Sequence, residues 1–188
     1  MSVRRSGLIL ASASPQRRSI LSQIGAAFDV EVSAVEELTD GPPEEIVLEN
    51  AFRKARAVAD RLGAARPVLG VDTIVAVGRQ IFHKPPDAQA ARATLSALAG
   101  REHSVLSGVC LIEGDRVQTA ATRTRVRFRA LTSRQIDDYV ETGEWRGRAG
   151  GYAIQERGAL LVRAIEGDYL NVVGLPVATL ADLAPWLL

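Results

Sequence analysis

The sequence has one cysteine, one methionine, two histidines and only 5% aromatic residues, and each shortage removes a class of protein. A single thiol, Cys110, cannot form an intrachain disulfide or a cysteine cluster for zinc. Lying in the apolar run SVLSGVCLIEG, it reads as a small core residue. His83 and His103 stand far apart, so no histidine-based metal motif is present. Charge of one sign is lacking too: a formal net charge of +1 gives no global field of the kind a dedicated nucleic-acid or membrane-surface binder uses. No run approaches the roughly 18–20 uninterrupted apolar residues of a membrane helix. The opening MSVRRSGLILASASP has an apolar run too short, and too soon followed by charge, for a signal peptide. The chain is therefore expected in the cytoplasm, away from membranes. No G-x-S-x-G, G-x-x-x-x-G-K-[ST] or G-x-G-x-x-G motif occurs, so neither a covalent serine nucleophile nor a Walker or Rossmann phosphate loop is expected.

What is present is enough apolar material, 47% of 188 residues, for a buried core in one domain over 1–188. Strand-like runs alternate with helical periodicity, which predicts an α/β layered architecture. Residues 7–11 read as a strand, and Ser14-Pro15 as the cap and first residue of a helix with Ile20, Leu21 and Ile24 on one face. A strand is expected over 28–33, then an acidic turn-rich loop, then a helix over 43–62 with Val47, Ala51, Ala55, Val58 and Leu62 inward. PVLGVDTIVAV (67–77) reads as a buried strand with GRQIFHKP as its return arm, and DAQAARATLSALAG as a short helix. Strands over 104–112 and 117–129 flank a Glu113-Gly114-Asp115 turn, and Thr132 with Gln135 forms a capping-box pattern. The last quarter reads as a glycine-rich loop, a strand over 159–165, a GDYLNVVGLP loop and a helix over 176–187.

Four places put polar groups where a core would not want them. In LILASASPQRRSIL, a helix start directly after a strand offers free N–H groups and a positive dipole end beside Ser12, Ser14 and Arg17, which suits phosphate oxygens. Asp72, inside the strand VLGVDTIVAV, carries a charge that must be paired, hydrogen-bonded or metal-bound. Lys84 ends the return arm. GRAGGYAIQ (147–155) combines glycines that admit close backbone approach with the amide of Gln155. Each has a purely structural counterpart: a capped helix, an aspartate satisfied by amides, a solvated lysine, a turn. Together they make the set that metal-assisted phosphoryl chemistry requires, with cations for the phosphates and a carboxylate for the metal. A different feature, TRTRVRFR (122–129), lines Arg123, Arg125, Arg127 and Arg129 along one strand face. It is either a solvated face bridged to acids or a phosphate-contacting stripe.

In order and spacing, LILASASPQRR, Lys54-Ala55, GVDTIV, HKP, LAGREHSVLSGV, VRFRALTSRQIDDYVETGE, AGGYAIQ and GDYLNVVGLP resemble the Maf family of nucleoside triphosphate pyrophosphatases along essentially the whole chain. The resemblance implies a two-lobed mixed β-sheet flanked by helices, related to the inosine triphosphate pyrophosphatases, with a central cleft. There Ser12, Arg17, Lys54 and Lys84 would contact the triphosphate, and Glu37 and Asp72 would hold Mg²⁺, or another hard divalent cation such as Mn²⁺, and manage the water. Attack at the α-phosphorus would release pyrophosphate and a nucleoside monophosphate. Arg17, Thr73 and Gln155 resemble the subgroup preferring dTTP and UTP, whereas a glutamate in place of Gln155 would point to 7-methyl-GTP. The resemblance also implies a homodimer. Two positions depart from the pattern: Gln16 stands where an arginine follows the proline, and Gly147-Arg148 stands where Asp-Lys is frequent. A non-enzymatic nucleotide or nucleic-acid binding protein acting in cell division is the competing reading.

Overall fold

The computed structural model describes residues 7–63 and 66–187; the ends of the single domain expected over 1–188 fall outside them. Four long elements organise the chain. The strand β3 (Val68–Val77) pairs antiparallel with β5 (Glu102–Glu113), which pairs with β6 (Arg116–Phe128) through a tight turn at Gly114-Asp115. The 20-residue helix α2 (Pro43–Leu62) lies across β3 and β5. It comes close because Gly70 and Gly108 have no side chain: a Cβ on Gly70 would stand 2.1 Å from the Ala51 carbonyl oxygen, and one on Gly108 2.1 Å from that of Val47.

The seven-stranded sheet has the order β2-β1-β3-β5-β6-β7, with β4 also on β3. The strands β1 (Leu8–Leu10) and β2 (Phe28–Val30) run parallel to each other, and β1 runs parallel to β3. β4 (Gln80–Phe82) pairs antiparallel with β3, and β7 (Val162–Glu166) pairs antiparallel with β6. The register shows why the molecule has two lobes. β5 covers one edge of β3 continuously from Val68 to Ala76. On the other edge β1 pairs only with Val68 and Leu69, and β4 only with Val75 to Val77. The sheet forks there, and Asp72 and Thr73 lie in the open stretch between the prongs.

Each prong has its own core. Leu8, Leu10, Leu69 and Leu111 pack with α1 (Pro15–Gln23) and α6 (Val177–Leu183). Val75, Phe82, Val105 and Phe128 pack with α3 (Ala88–Leu98) and α4 (Ser133–Glu141), whose capping box at Thr132 and Gln135 is present. Cys110 is buried beneath α2, and burial pushes its thiol up to about 12.

Several expectations need correction. The strand at 28–33 ends at Val30, because the chain leaves the sheet to carry the following loop towards α2. The strand at 159–165 starts only at Val162; Arg157–Leu161 is a 3₁₀ turn with Leu160 70% exposed. GDYLNVVGLP is no loop but the short helix α5 (Tyr169–Val173), capped by Asp168, whose carboxylate accepts from the Leu170 N–H. The final helix stops at Leu183, two residues before Pro185, where a 3₁₀ turn follows. Ile24 and Leu62, expected inward, lie exposed at helix ends.

Candidate active site

The fork in the sheet opens into a cleft of about 530 Å³, which reaches residues of both lobes. Alternation along β3 decides which chemistry appears on which face. Asp72 shares a face with Gly70, against α2, and Thr73 faces the opposite side with Leu69 and Val71. The cleft thus joins two separate clusters across the edge of one strand.

On the α2 face, Asp72 is 5% exposed and Lys54 is 7% exposed. The Lys54 ammonium stands 2.6 Å from Asp72 Oδ1 and 2.6 Å from Glu37 Oε1. Asp72 Oδ2 accepts from the Asn50 amide at 3.1 Å. Glu37 arrives on the loop after β2 and is half exposed at the mouth of the cleft. Two carboxylates and one ammonium leave a formal net charge of −1, with Asp72 and Lys54 buried and Glu37 in contact with solvent. Such an arrangement attracts a further cation. The donors are hard oxygens at the cleft, Glu37 exposed there and Asp72 buried and bonded by Lys54 and Asn50 through its two oxygens, and no group of three or more acidic, histidine or cysteine ligands occurs among the described residues. That fits Mg²⁺, which takes one or two carboxylates and completes its octahedron with water and substrate phosphates.

On the opposite face lies a buried cation. Arg17, in the first turn of α1 and 9% exposed, donates Nε to the Gly174 carbonyl at 2.9 Å, Nη1 to Ser12 Oγ at 2.9 Å and Nη2 to Thr73 Oγ1 at 3.0 Å. All three acceptors are neutral, and Arg17 makes no ion pair among the described residues. Burial pulls its pKa below the ordinary value, while the charges of Asp72 and Glu37 oppose the shift. A guanidinium buried without a carboxylate partner is costly, so its geometry is held by the surrounding oxygens and its charge is available to an anion in the cleft. Ser14 caps the helix, its hydroxyl accepting the Arg17 N–H at 3.4 Å, and donates to Gln16 Oε1 at 3.2 Å. Gln16 therefore serves the cap where an arginine was expected.

The far wall is looser. Lys84, just past β4, is exposed and lines the cleft. Arg148 pairs with Glu156 at 3.2 Å, and the exposed Gln155 donates to the same carboxylate at 3.4 Å. The loop that carries them is seated by Gly150, at φ +67°, where a Cβ would meet Val75 at 2.8 Å. Tyr152 anchors it from behind through a 2.9 Å bond to the buried His103.

All ten residues singled out from the sequence line this one cleft: Ser12, Ser14, Arg17, Glu37, Lys54, Asp72 and Thr73 at one end, with Lys84, Arg148 and Gln155 opposite. Two participants escaped notice. Asn50 had a signal, since it precedes Lys54 by one helical turn on the inward side of α2. The Gly174 carbonyl had none, being a backbone group brought to Arg17 across 157 residues. In the arginine stripe, Arg123, Arg125 and Arg127 on β6 face Glu44, Glu166 and Glu102 in exposed ion pairs, and Arg129, just past β6, donates to the Val162 carbonyl. Three of its four arginines thus have carboxylate partners, as the solvated-face reading expects. No helix among the described residues is long and apolar enough to cross a membrane.

The fold and cleft define an α/β protein with a forked sheet whose cleft gathers buried and exposed cations around two carboxylates. The chain belongs to the Maf family: residues 7–185 match the family described as Maf-like protein. It is 48% identical over 178 residues to the dTTP/UTP pyrophosphatase of Gloeobacter violaceus, covering 94% of this chain and 93% of the relative. To the dTTP/UTP pyrophosphatase of Symbiobacterium thermophilum it is 49% identical over 172 residues, covering 90% and 88%. The dTTP/UTP pyrophosphatase of Pyrococcus furiosus is 43% identical over 179 residues, covering 94% and 93%. The Staphylococcus aureus Ham1 protein structure is a distant likeness, with 16% identity and a TM-score of 0.47 over 64% of this chain and 71% of that one, and adds nothing to the assignment.

Proposed function

We propose that this protein hydrolyses nucleoside triphosphates, dTTP and UTP before others, to the monophosphate and pyrophosphate. The relatives' shared name supports the reaction and substrate class. The observation that carries the chemistry is the buried Lys54 ammonium between Asp72 and Glu37, one strand edge away from an Arg17 that lacks a carboxylate partner.

Water attacks the α-phosphorus, a new P–O bond forms, and the bond from that phosphorus to the bridging oxygen breaks to release pyrophosphate. Glu37 is placed to take the water's proton: it is half exposed and engaged by Lys54 through one oxygen, whereas both oxygens of Asp72 are occupied. Arg17, fixed by Ser12, Thr73 and Gly174, holds phosphate oxygens together with the start of α1 capped by Ser14. Lys84 reaches the phosphates from the other lobe. Lys54 offsets charge as it develops on the leaving oxygen. Mg²⁺, or Mn²⁺ in its place, held by Asp72 and Glu37 would neutralise the phosphate oxygens and orient them for in-line displacement. Arg148 and Gln155 face the nucleoside end, where the Gln155 amide can both donate to and accept from a pyrimidine edge.

A homodimer and a cytoplasmic setting belong to this reading, the first tested by light scattering on the purified chain. The activity is tested by pyrophosphate release from dTTP, UTP, CTP, 7-methyl-GTP, ITP, ATP and GTP, with Mg²⁺ or EDTA. Release that requires metal and is greatest for dTTP or UTP is expected; a purine preference would overturn the base assignment, and no release from any triphosphate the whole proposal.

A further inference from the structure

The mechanism above uses Asp72 and Glu37 as a pair, yet they come from unlike places: one from the middle of a strand, the other from a loop with no regular structure of its own. Something must fix the loop at the right distance from the strand. Asn50 is 1% exposed and makes three hydrogen bonds. Its Oδ1 accepts the Leu38 N–H at 2.7 Å and its Nδ2 donates to the Leu38 carbonyl at 3.0 Å, so the side-chain amide pairs with the backbone of the residue after Glu37 as a neighbouring strand would. The same Nδ2 donates to Asp72 Oδ2 at 3.1 Å. One planar group therefore touches both the loop that carries Glu37 and the carboxylate of Asp72. Lys54, one turn further along α2, ties Asp72 by its other oxygen, Oδ1, and reaches Glu37 directly at Oε1.

We infer that Asn50 is a positioning residue that sets the separation and orientation of Glu37 and Asp72, and so preforms the cation-binding pair. This rests on the proposed function for what the pair does, but not for the claim that Asn50 holds it. The amide is suited to the task where a carboxylate is not. It donates and accepts at once, so it can satisfy both Leu38 groups, and it adds no charge beside Asp72. A simple structural amide would need only the Leu38 pair; the bond to Asp72 Oδ2 orients the second carboxylate oxygen.

The test uses Asn50→Ala and Asn50→Ser in the full chain; the serine hydroxyl can satisfy itself on its own helix, which guards against loss of folding. Mn²⁺ binding is followed by electron paramagnetic resonance in the presence of dTTP with an imido group bridging the α and β phosphorus, and kcat and KM are measured with dTTP. Expected are variants with wild-type circular dichroism, Mn²⁺ affinity reduced about 10–100-fold and kcat reduced by a similar factor. KM for nucleotide should stay near wild type, because the Arg17 cluster is untouched. Folded variants with wild-type Mn²⁺ affinity and kcat would overturn the inference. In the wild type, slow hydrogen exchange at the Leu38 amide supports the tether and free exchange contradicts it. If wild-type protein hydrolyses no triphosphate while Mn²⁺ affinity still depends on Asn50, the proposed function fails alone. A wild type that binds no Mn²⁺ with the nucleotide analogue contradicts both.

Discussion

The two ends of the cleft are built to different standards. At the end assigned above to the phosphates, Arg17, Lys54, Asn50 and Asp72 are buried and each makes two or three hydrogen bonds, mostly to partners distant in sequence. At the opposite end Lys84 and Gln155 are exposed, and Arg148 and Gln155 share a single acceptor, Glu156. The difference matches what the proposed function asks of each end. Charge developing on phosphate oxygens is stabilised best by groups that need no reorganisation, and burial with saturated hydrogen bonding provides that. Recognition of a base tolerates side chains that settle only when the ligand arrives.

If the phosphate end carries the reaction, damage there should be severe and damage opposite mild. Asp72→Asn is expected to lower kcat about 10³-fold in a pyrophosphate-release assay. The fold should survive, because the amide oxygen still accepts from Lys54 and Glu37 still neutralises that ammonium; a rate within tenfold of wild type would break the contrast. Arg17→Lys keeps the charge but cannot reproduce three divergent hydrogen bonds, so KM for dTTP should rise about 10–100-fold. At the other end, Gln155→Glu should change the ratio of kcat/KM for dTTP against 7-methyl-GTP by about tenfold, the worth of one hydrogen bond, and leave kcat for dTTP nearly unchanged.

A separate effect, on stability rather than rate, concerns the support of the looser end. His103, behind Tyr152, has its pKa pushed down by burial from 6.5 to about 4. The folded state then binds fewer protons than the unfolded one between those values. Stability from this group is complete above about pH 6.5 and is lost as pH falls towards 4, at about 1.4 kcal/mol per pH unit. Urea midpoints at pH 7 and 5 should separate more for wild type than for His103→Gln.

The same contrast explains what could be read from the sequence. Asp72 stood out because an acid inside an apolar strand demands a partner, and Arg17 because a proline-started helix follows a strand. β5 and β6 followed from length and from the Arg/Thr alternation on β6. Asn50 did not stand out, since a lone amide on a helix looks the same whether it faces water or a loop backbone. The two lobes and the cleft were implied by the family resemblance, but the fork that makes them was not legible in the residues: it depends on β1 and β4 sharing one edge of β3, a matter of register between segments distant in sequence. In GDYLNVVGLP the cap at Asp168 and the stop at Gly174 outweighed the turn-like composition and made a helix. That helix ends where its last free carbonyl meets Arg17.

The central claim is that this cleft directs water to the α-phosphorus of a triphosphate. Hydrolysis of dTTP in ¹⁸O-labelled water with Mg²⁺, with products resolved by mass spectrometry, tests it most directly. The account predicts one ¹⁸O in thymidine monophosphate and none in the pyrophosphate. Label in the pyrophosphate, or release of orthophosphate with thymidine diphosphate, would contradict it.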